Sequence, residues 1–206
     1  GQLLKVTGTG VHGTAYAYGA DADGSCVLET ALDAAGAATS EWSAQWTDLA
    51  GRVWKSATSG GGGTTSTFNA QGQLVRQVDA DGVSVLYAYD AQGRRTVTAA
   101  DADGDGVIDY DGADRITRTV SIYALRGTVP VLRTTTTSWT TPGDAAATAT
   151  VALTESSVDG RQVWTSAEGL TATSTRTPGV AGAWSVTTTQ PDLSARVSSY
   201  AGGRLV

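Results

Sequence analysis

The chain has 206 residues, a formal net charge of −6 and 26 glycines, with one phenylalanine, one cysteine and no methionine. Its cationic side chains are scattered singly, so no basic stripe exists to neutralise a phosphate backbone, and nucleic-acid binding is not expected. Cys26 alone permits neither an internal disulfide nor a Cys-based zinc site, and no apolar run approaches the roughly 20 residues of a membrane span.

Thr, Val, Tyr and Trp recur between the glycines. Branched and flat side chains pack well on a pleated surface, and Gly and Asp supply turns, so the composition predicts an all-β fold. In chain order, Asp21-Ala22-Asp23-Gly24 reads as a first turn and Asp33-Ala34-Ala35-Gly36 as an early copy of a recurring one. Three later copies are in phase: Asp48-Leu49-Ala50-Gly51-Arg52, Asn69-Ala70-Gln71-Gly72-Gln73 and Asp90-Ala91-Gln92-Gly93-Arg94. Gly51, Gly72 and Gly93 are 21 residues apart, a period that suits one β-hairpin per repeat. The run from Gly60 to Gly63 reads as a loop tip, because the period continues across it. It lacks the Lys and helix that follow a phosphate-cradling loop.

One copy shows the physics. Over residues 84–89, Val85, Tyr87 and Tyr89 share a face at period two. The Asp90 carboxylate can accept a backbone N–H two residues on, and Gly93 takes the positive φ of the turn. Residues 94–98 return as the partner strand, and Asp79-Ala80-Asp81-Gly82 makes the turn at the other end.

From Asp114 the wording changes. Residues 116–125 and 129–139, around Arg126-Gly127, predict one long hairpin with Thr-rich arms. Pro130 lacks an N–H and is expected at a sheet edge or a bulge. Thr141-Pro142-Gly143-Asp144 reads as a turn, and residues 148–158, 162–167, 170–176 and 184–189 as strands. Residues 145–152 have the Ala content of a helix, but their alternating Thr favours strand. Val158-Asp159-Gly160-Arg161 and Asp192-Leu193-Ser194-Ala195-Arg196 read as worn copies of the turn, the last with Ala195 in the place of Gly.

Tyr87-Ala88-Tyr89-Asp90-Ala91-Gln92-Gly93-Arg94 resembles the YD repeat of bacterial Rhs proteins, insecticidal toxin-complex shells, wall-associated proteins and animal teneurins. It matches the consensus Tyr-x-Tyr-Asp-x-x-Gly-Arg at every fixed position. Phe68-Asn69-Ala70-Gln71-Gly72-Gln73 is a conservative variant. In Trp46-Thr47-Asp48-Leu49-Ala50-Gly51-Arg52 the aromatic comes one residue early, so its ring is expected on the opposite face. The resemblance is clear through the three in-phase copies and rests on pattern beyond them.

The resemblance implies stacked antiparallel β-hairpin repeats forming a curved sheet or part of a spiral β shell. YD-repeat hairpins would occupy residues 1–113, with an acidic Asp-rich loop at 101–114. Residues 114–206 would continue the same sheet as a long-hairpin and degenerate-repeat region. It also implies a passive, non-enzymatic segment of a secreted or cell-surface bacterial shell or scaffold, enclosing a polypeptide cargo or mediating surface contact. Its partners would be neighbouring YD repeats of a longer chain, in keeping with the absence of a signal peptide and with Gly1 falling mid-pattern. The family's C-terminal core motif and aspartyl self-cleavage site are not found, so autoproteolysis is not carried over. A second reading is a self-assembling subunit of an extracellular filament or surface layer, whose open edges pair with copies of itself. A third is a carbohydrate-active enzyme on a β scaffold.

The densest candidate chemistry is Asp101-Ala102-Asp103-Gly104-Asp105-Gly106-Val107-Ile108-Asp109. Alternating carboxylates (Asp101, Asp103, Asp105, Asp109), a carbonyl from Val107 and a bend at Gly106 are the hard oxygen donors that suit Ca²⁺. The EF-hand pattern wants Glu at position twelve, where Gly112 stands, so Asp111 or Asp114 is the candidate for the missing ligand. The competing reading is a solvated acidic turn, like those at 21–24 and 79–82. His12 has no triad partners in view and reads as a surface or turn residue, and Cys26 as a half-buried spectator. Glu29 with Asp33, and Glu41 with Asp48, are the acid pairs a glycosidase would need. The six tryptophans are expected to pack between neighbouring hairpins, with a carbohydrate-stacking platform as the alternative.

Overall fold

The computed structural model describes all residues except Gly1, Thr9, Thr140 and Pro142, and of Val11 the backbone only. Among the described residues 17 strands are found, paired antiparallel within each part of the chain, as the hairpin repeat predicts. The registered pairs join strands that follow one another in the chain, so the path is a meander of hairpins. The chain divides into two compact units: Gly1–Gly93 with Ala99–Ile108, and Arg94–Thr98 with Asp109–Val206.

The first unit holds β1 (Lys5–Gly8), β2 (Val11–Asp21), β3 (Gly24–Leu32), β4 (Ala38–Thr47), β5 (Val53–Thr58), β6 (Gly63–Phe68), β7 (Leu74–Asp79), β8 (Ser84–Tyr89) and the end of β9 (Arg95–Asp101). Its turns repeat one geometry. The Asp48 N–H donates to the Arg52 carbonyl, the Gly51 N–H to the Asp48 carbonyl, and the Asp48 Oδ1 accepts from the N–H groups of Ala50 and Arg52 at 2.9 and 3.0 Å. The same set of bonds recurs at Asp33, Asn69 and Asp79. Each turn places a glycine at the one residue with φ near +80°, including Gly51 (78°), Gly72 (81°) and Gly82 (83°), a region that costs a residue with a Cβ about 1–2 kcal/mol. The turns at Asp33, Asp48, Asn69 and Asp79 therefore use the same device.

Two details depart from expectation or sharpen it. Residues 21–24 share the wording of 79–82 but make a tighter turn, in which Asp21 and Gly24 pair directly and only Ala22 and Asp23 lie between. The glycine run at 60–63 is a hairpin tip of the common type, closed by the Thr58 N–H on the Gly62 carbonyl at 2.8 Å. Gly63 already belongs to β6, and a Cβ there would lie 2.4 Å from the Ser56 carbonyl, so the two strands approach too closely for any other residue.

Strand alternation puts Trp46 opposite Lys55, which in turn faces Thr65. Phe68, three residues past Thr65, points the other way, so the early aromatic does occupy the opposite face. Lys55 lies 4.8 Å from the Trp46 ring and 5.9 Å from that of Trp54, and also pairs with Asp23.

The second unit takes the start of β9 and then β10 (Arg115–Arg126), β11 (Val129–Trp139), β12 (Thr148–Ser157), β13 (Gln162–Ala167), β14 (Leu170–Pro178), β15 (Trp184–Thr189), β16 (Ala195–Ala201) and β17 (Arg204–Leu205). A single 3₁₀ turn lies at Val180–Gly182. β10 and β11 form the long hairpin, in unbroken register from Thr117–Ser138 to Arg126–Val129. Its threonines pair across strands, Thr119 with Thr136 at 3.1 Å and Ser121 with Thr134 at 2.8 Å between hydroxyls. Hydroxyl pairs of this kind support a sheet that has little apolar cover.

Pro130 corrects its expectation. β11 is an interior strand between β10 and β12, and the register shift recorded there lies between Thr136 and Thr137. Pro130 is the second residue of the strand, beside the hairpin turn, where a missing N–H disturbs the ladder least; its carbonyl still accepts the Val158 N–H at 3.0 Å. Residues 145–147 are outside any strand, and β12 starts at Thr148. The expected turn at 141–144 includes Pro142, which lies outside the described residues.

The later turns are in place but shifted. Ser157 begins one, with its Oγ accepting from Arg161 and Gln162 and with Gly160 at φ 70°. The last is Gln190-Pro191-Asp192-Leu193-Ser194, closed by Gln190 N–H on the Ser194 carbonyl and Leu193 N–H on the Gln190 carbonyl. The residue in the glycine position is thus Leu193, at φ 69°, and not Ala195, which opens β16.

Buried apolar side chains are few. Among the described residues the first unit buries Ala44, Leu86 and Ala99, and the second Val97, Ile116 and Val131. Two half-exposed tryptophans of the second unit are capped by cations: Arg126 is 4.9 Å over Trp164 and Arg176 is 4.1 Å over Trp184, which stacks on Tyr200 at 3.9 Å.

Candidate functional site

Asp101 ends β9 with its side chain wholly removed from solvent. Neither carboxylate oxygen accepts a hydrogen bond. The nearest cation is Arg76 on β7, whose Nη2 is 3.5 Å from Oδ2, too long for a hydrogen bond. The Arg76 Nε is committed to the hydroxyl of Ser84, itself buried on β8, at 2.8 Å. Buried charge without donors is costly, so this carboxylate needs a physical account.

The loop beyond it is shaped by its own carboxylates. Asp103 Oδ1 accepts the Asp105 N–H at 3.2 Å, and Asp105 Oδ1 accepts the Val107 N–H at 2.7 Å. Gly104 and Gly106 both have φ 78°, and these alternating bends coil the chain so that Gly106 and Ile108 line a cleft of about 290 Å³ with Thr67, Val75, Arg76, Leu86 and Tyr87. Asp101 and Asp103 offer oxygens within 4.8 Å of each other. Asp103 and Asp105 are exposed, as is Val107. Of the six residues expected as cation ligands, Asp101, Asp103, Asp105 and Val107 therefore lie in the first unit. Asp109 and Asp114 lie in the second, where the Asp109 N–H donates to Asp114 Oδ2 at 3.1 Å. Asp114 is buried, while Asp111, the other candidate for the missing ligand, is exposed and donates its N–H to Asp109 Oδ1.

Arg76 was not among the expected residues. A signal for it exists in the repeat: the fourth residue after the turn glycine is Lys55 after Gly51 and Arg76 after Gly72. Each of these cations reaches a carboxylate from another turn, Lys55 to Asp23 and Arg76 to Asp101.

The other candidates are dispersed. His12 is exposed on β2, and Cys26 is half-buried on β3, in an apolar cleft with Leu28, Trp42, Ala44 and Trp46. The acid pairs are combined differently from expectation: Glu29 and Glu41, on adjacent strands and both exposed, line one open cleft with Thr14, Ser43 and Ser59. Asp21 is held below the usual carboxylate range, first by the Trp46 indole N–H at 2.8 Å and then by the Asp23 N–H, which ties the first turn to β4.

Residues 68–105 match the family model described as RHS Repeat. Over this stretch the chain is similar to an Rhs repeat. The matched stretch runs from the turn at Asn69 through β7, β8 and β9 into the acidic loop, so the repeat unit includes both Arg76 and Asp101. Rhs repeats build structure rather than catalyse, and the proteins that carry them are generally extracellular or on cell surfaces. No curated protein matches the chain. Among the described residues, no helix is long and apolar enough to cross a membrane.

Proposed function

We propose that the chain is a non-enzymatic structural segment of an extracellular Rhs-type shell or scaffold, continued by neighbouring repeats of the same kind. The observation that carries this reading is the scarcity of buried apolar side chains, three in each unit among the described residues, between strands joined by recurring turns. Regular turns and cross-strand polar pairs fix the register of such a layer, but its faces lack cover of their own. Large apolar residues remain on those faces, including Tyr123 at 81% exposure. A protein of this build is completed by what lies against it, and in a shell that is another turn of the same wall or an enclosed polypeptide.

The test is analytical ultracentrifugation with negative-stain electron microscopy of the isolated chain over a range of concentrations. The shell reading predicts discrete particles without periodic order. Ordered fibres or sheets would overturn it in favour of a self-assembling subunit.

A further inference from the structure

We propose that the loop opening at Asp101 binds a calcium ion, with the carboxylates of Asp101 and Asp103 as its donors in the first unit. This goes beyond the scaffold reading and does not depend on it.

The acidic residues alone would not carry the assignment, since solvated acidic turns are common. Asp101 does. Its side chain is fully buried, and both oxygens lack a hydrogen-bond donor. Buried polar atoms are nearly always partnered, and an orphan asks for a missing partner. Arg76 does not fill that place. It sits 3.5 Å from Oδ2 alone and is held there by Ser84, so it offsets charge at a distance and leaves the lone pairs unmet.

A cation meets the requirement on three counts. The oxygens of Asp101 and Asp103 lie within 4.8 Å of each other, a gap bridged by one ion with bonds of about 2.3–2.6 Å, the calcium–oxygen range. Asp101 and Asp103 against Arg76 leave a formal local charge of −1, which a bound cation offsets. The donors are all oxygen, which suits a hard ion and not zinc, whose sites use nitrogen and sulfur. Between calcium and magnesium, a loop bent at two glycines, Gly104 and Gly106, fits the larger ion, which tolerates irregular coordination.

The experiment uses the full chain freed of metal by EDTA dialysis. Thermal melts and titration calorimetry are run with CaCl₂ and, separately, with MgCl₂. Calcium is predicted to release or absorb measurable heat and to raise the melting midpoint by roughly 5–10 °C at about a hundredfold excess over its Kd. Asp103→Asn, an exposed change that leaves the fold intact, loses most of that rise, as does Asp101→Asn if it folds. Asp81→Asn, in an ordinary acidic turn, keeps it. No heat and no shift in the parent chain overturns the proposal, as does an undiminished response in Asp103→Asn. An equal response to magnesium overturns the assignment to calcium.

Discussion

Glu155 on β12 and Arg133 on β11 are direct cross-strand neighbours, joined by Arg133 Nε donating to Glu155 Oε1 at 2.7 Å. Arg126 on β10 reaches the second oxygen of the same carboxylate. One buried glutamate thus clamps three strands, and Arg126 in turn covers Trp164 on β13. Burial by itself would raise the Glu155 pKa, but the bonds from Arg133 and Arg126 outweigh it and hold the carboxyl below its ordinary value of 4.5. Glu155→Gln leaves two guanidiniums facing an amide and is predicted to cost about 2 kcal/mol. That is less than the roughly 3–5 kcal/mol of a fully buried pair, because both arginines are partly solvated. Urea denaturation measures it.

The same carboxylate makes a pH prediction. A group with a depressed folded pKa contributes stability that is fully present above its unfolded value and is lost as pH falls through the folded one. The melting midpoint should therefore decline below about pH 4.5, and decline less steeply in Glu155→Gln. Equal slopes for the two proteins would remove Glu155 from the account of acid sensitivity.

Leu193 stands where the other turns have glycine. At φ 69° and 83% exposed, its side chain gives no packing in return for the strain. Leu193→Gly is predicted to stabilise by about 0.5–1 kcal/mol, the left-handed penalty less the added freedom of the unfolded chain. Gly51→Ala is the mirror experiment. Nothing lies within 4 Å of the added methyl, so the expected loss of about 1 kcal/mol is purely conformational.

Much of this was legible in the residues before the coordinates. The turn glycines, the long hairpin around Arg126-Gly127 and the opposed ring of Trp46 follow from local rules of spacing and φ. What stayed hidden involved partners distant in sequence. Ser157 and Gln190 replace Asp as turn openers, and once the acid is gone the register of the turn is carried only by its backbone bonds. Pro130 obeyed its local constraint inside an interior strand because its place beside the turn spared the ladder. Arg76 was invisible as a neighbour of Asp101 because the two lie 25 residues apart in the chain and meet only in the folded sheet.

Gly63 tests how tightly β5 and β6 are drawn together. An added methyl would meet the Ser56 carbonyl at 2.4 Å, backbone against side chain with no flexible partner to yield. Gly63→Ala is predicted to cost about 1–3 kcal/mol, against a near-neutral Gly60→Ala, where the space is open. Paired denaturation curves decide it.

The claim on which the rest stands is the ladder of hairpins, and cross-strand backbone NOEs measured by NMR test it most directly. The structure pairs Arg76 with both Thr67 and Leu86, and Leu153 with both Thr135 and Ser166. Contacts from each of these residues to both of its partners are the predicted result. Their absence, or medium-range helical contacts across residues 74–89, would contradict the account.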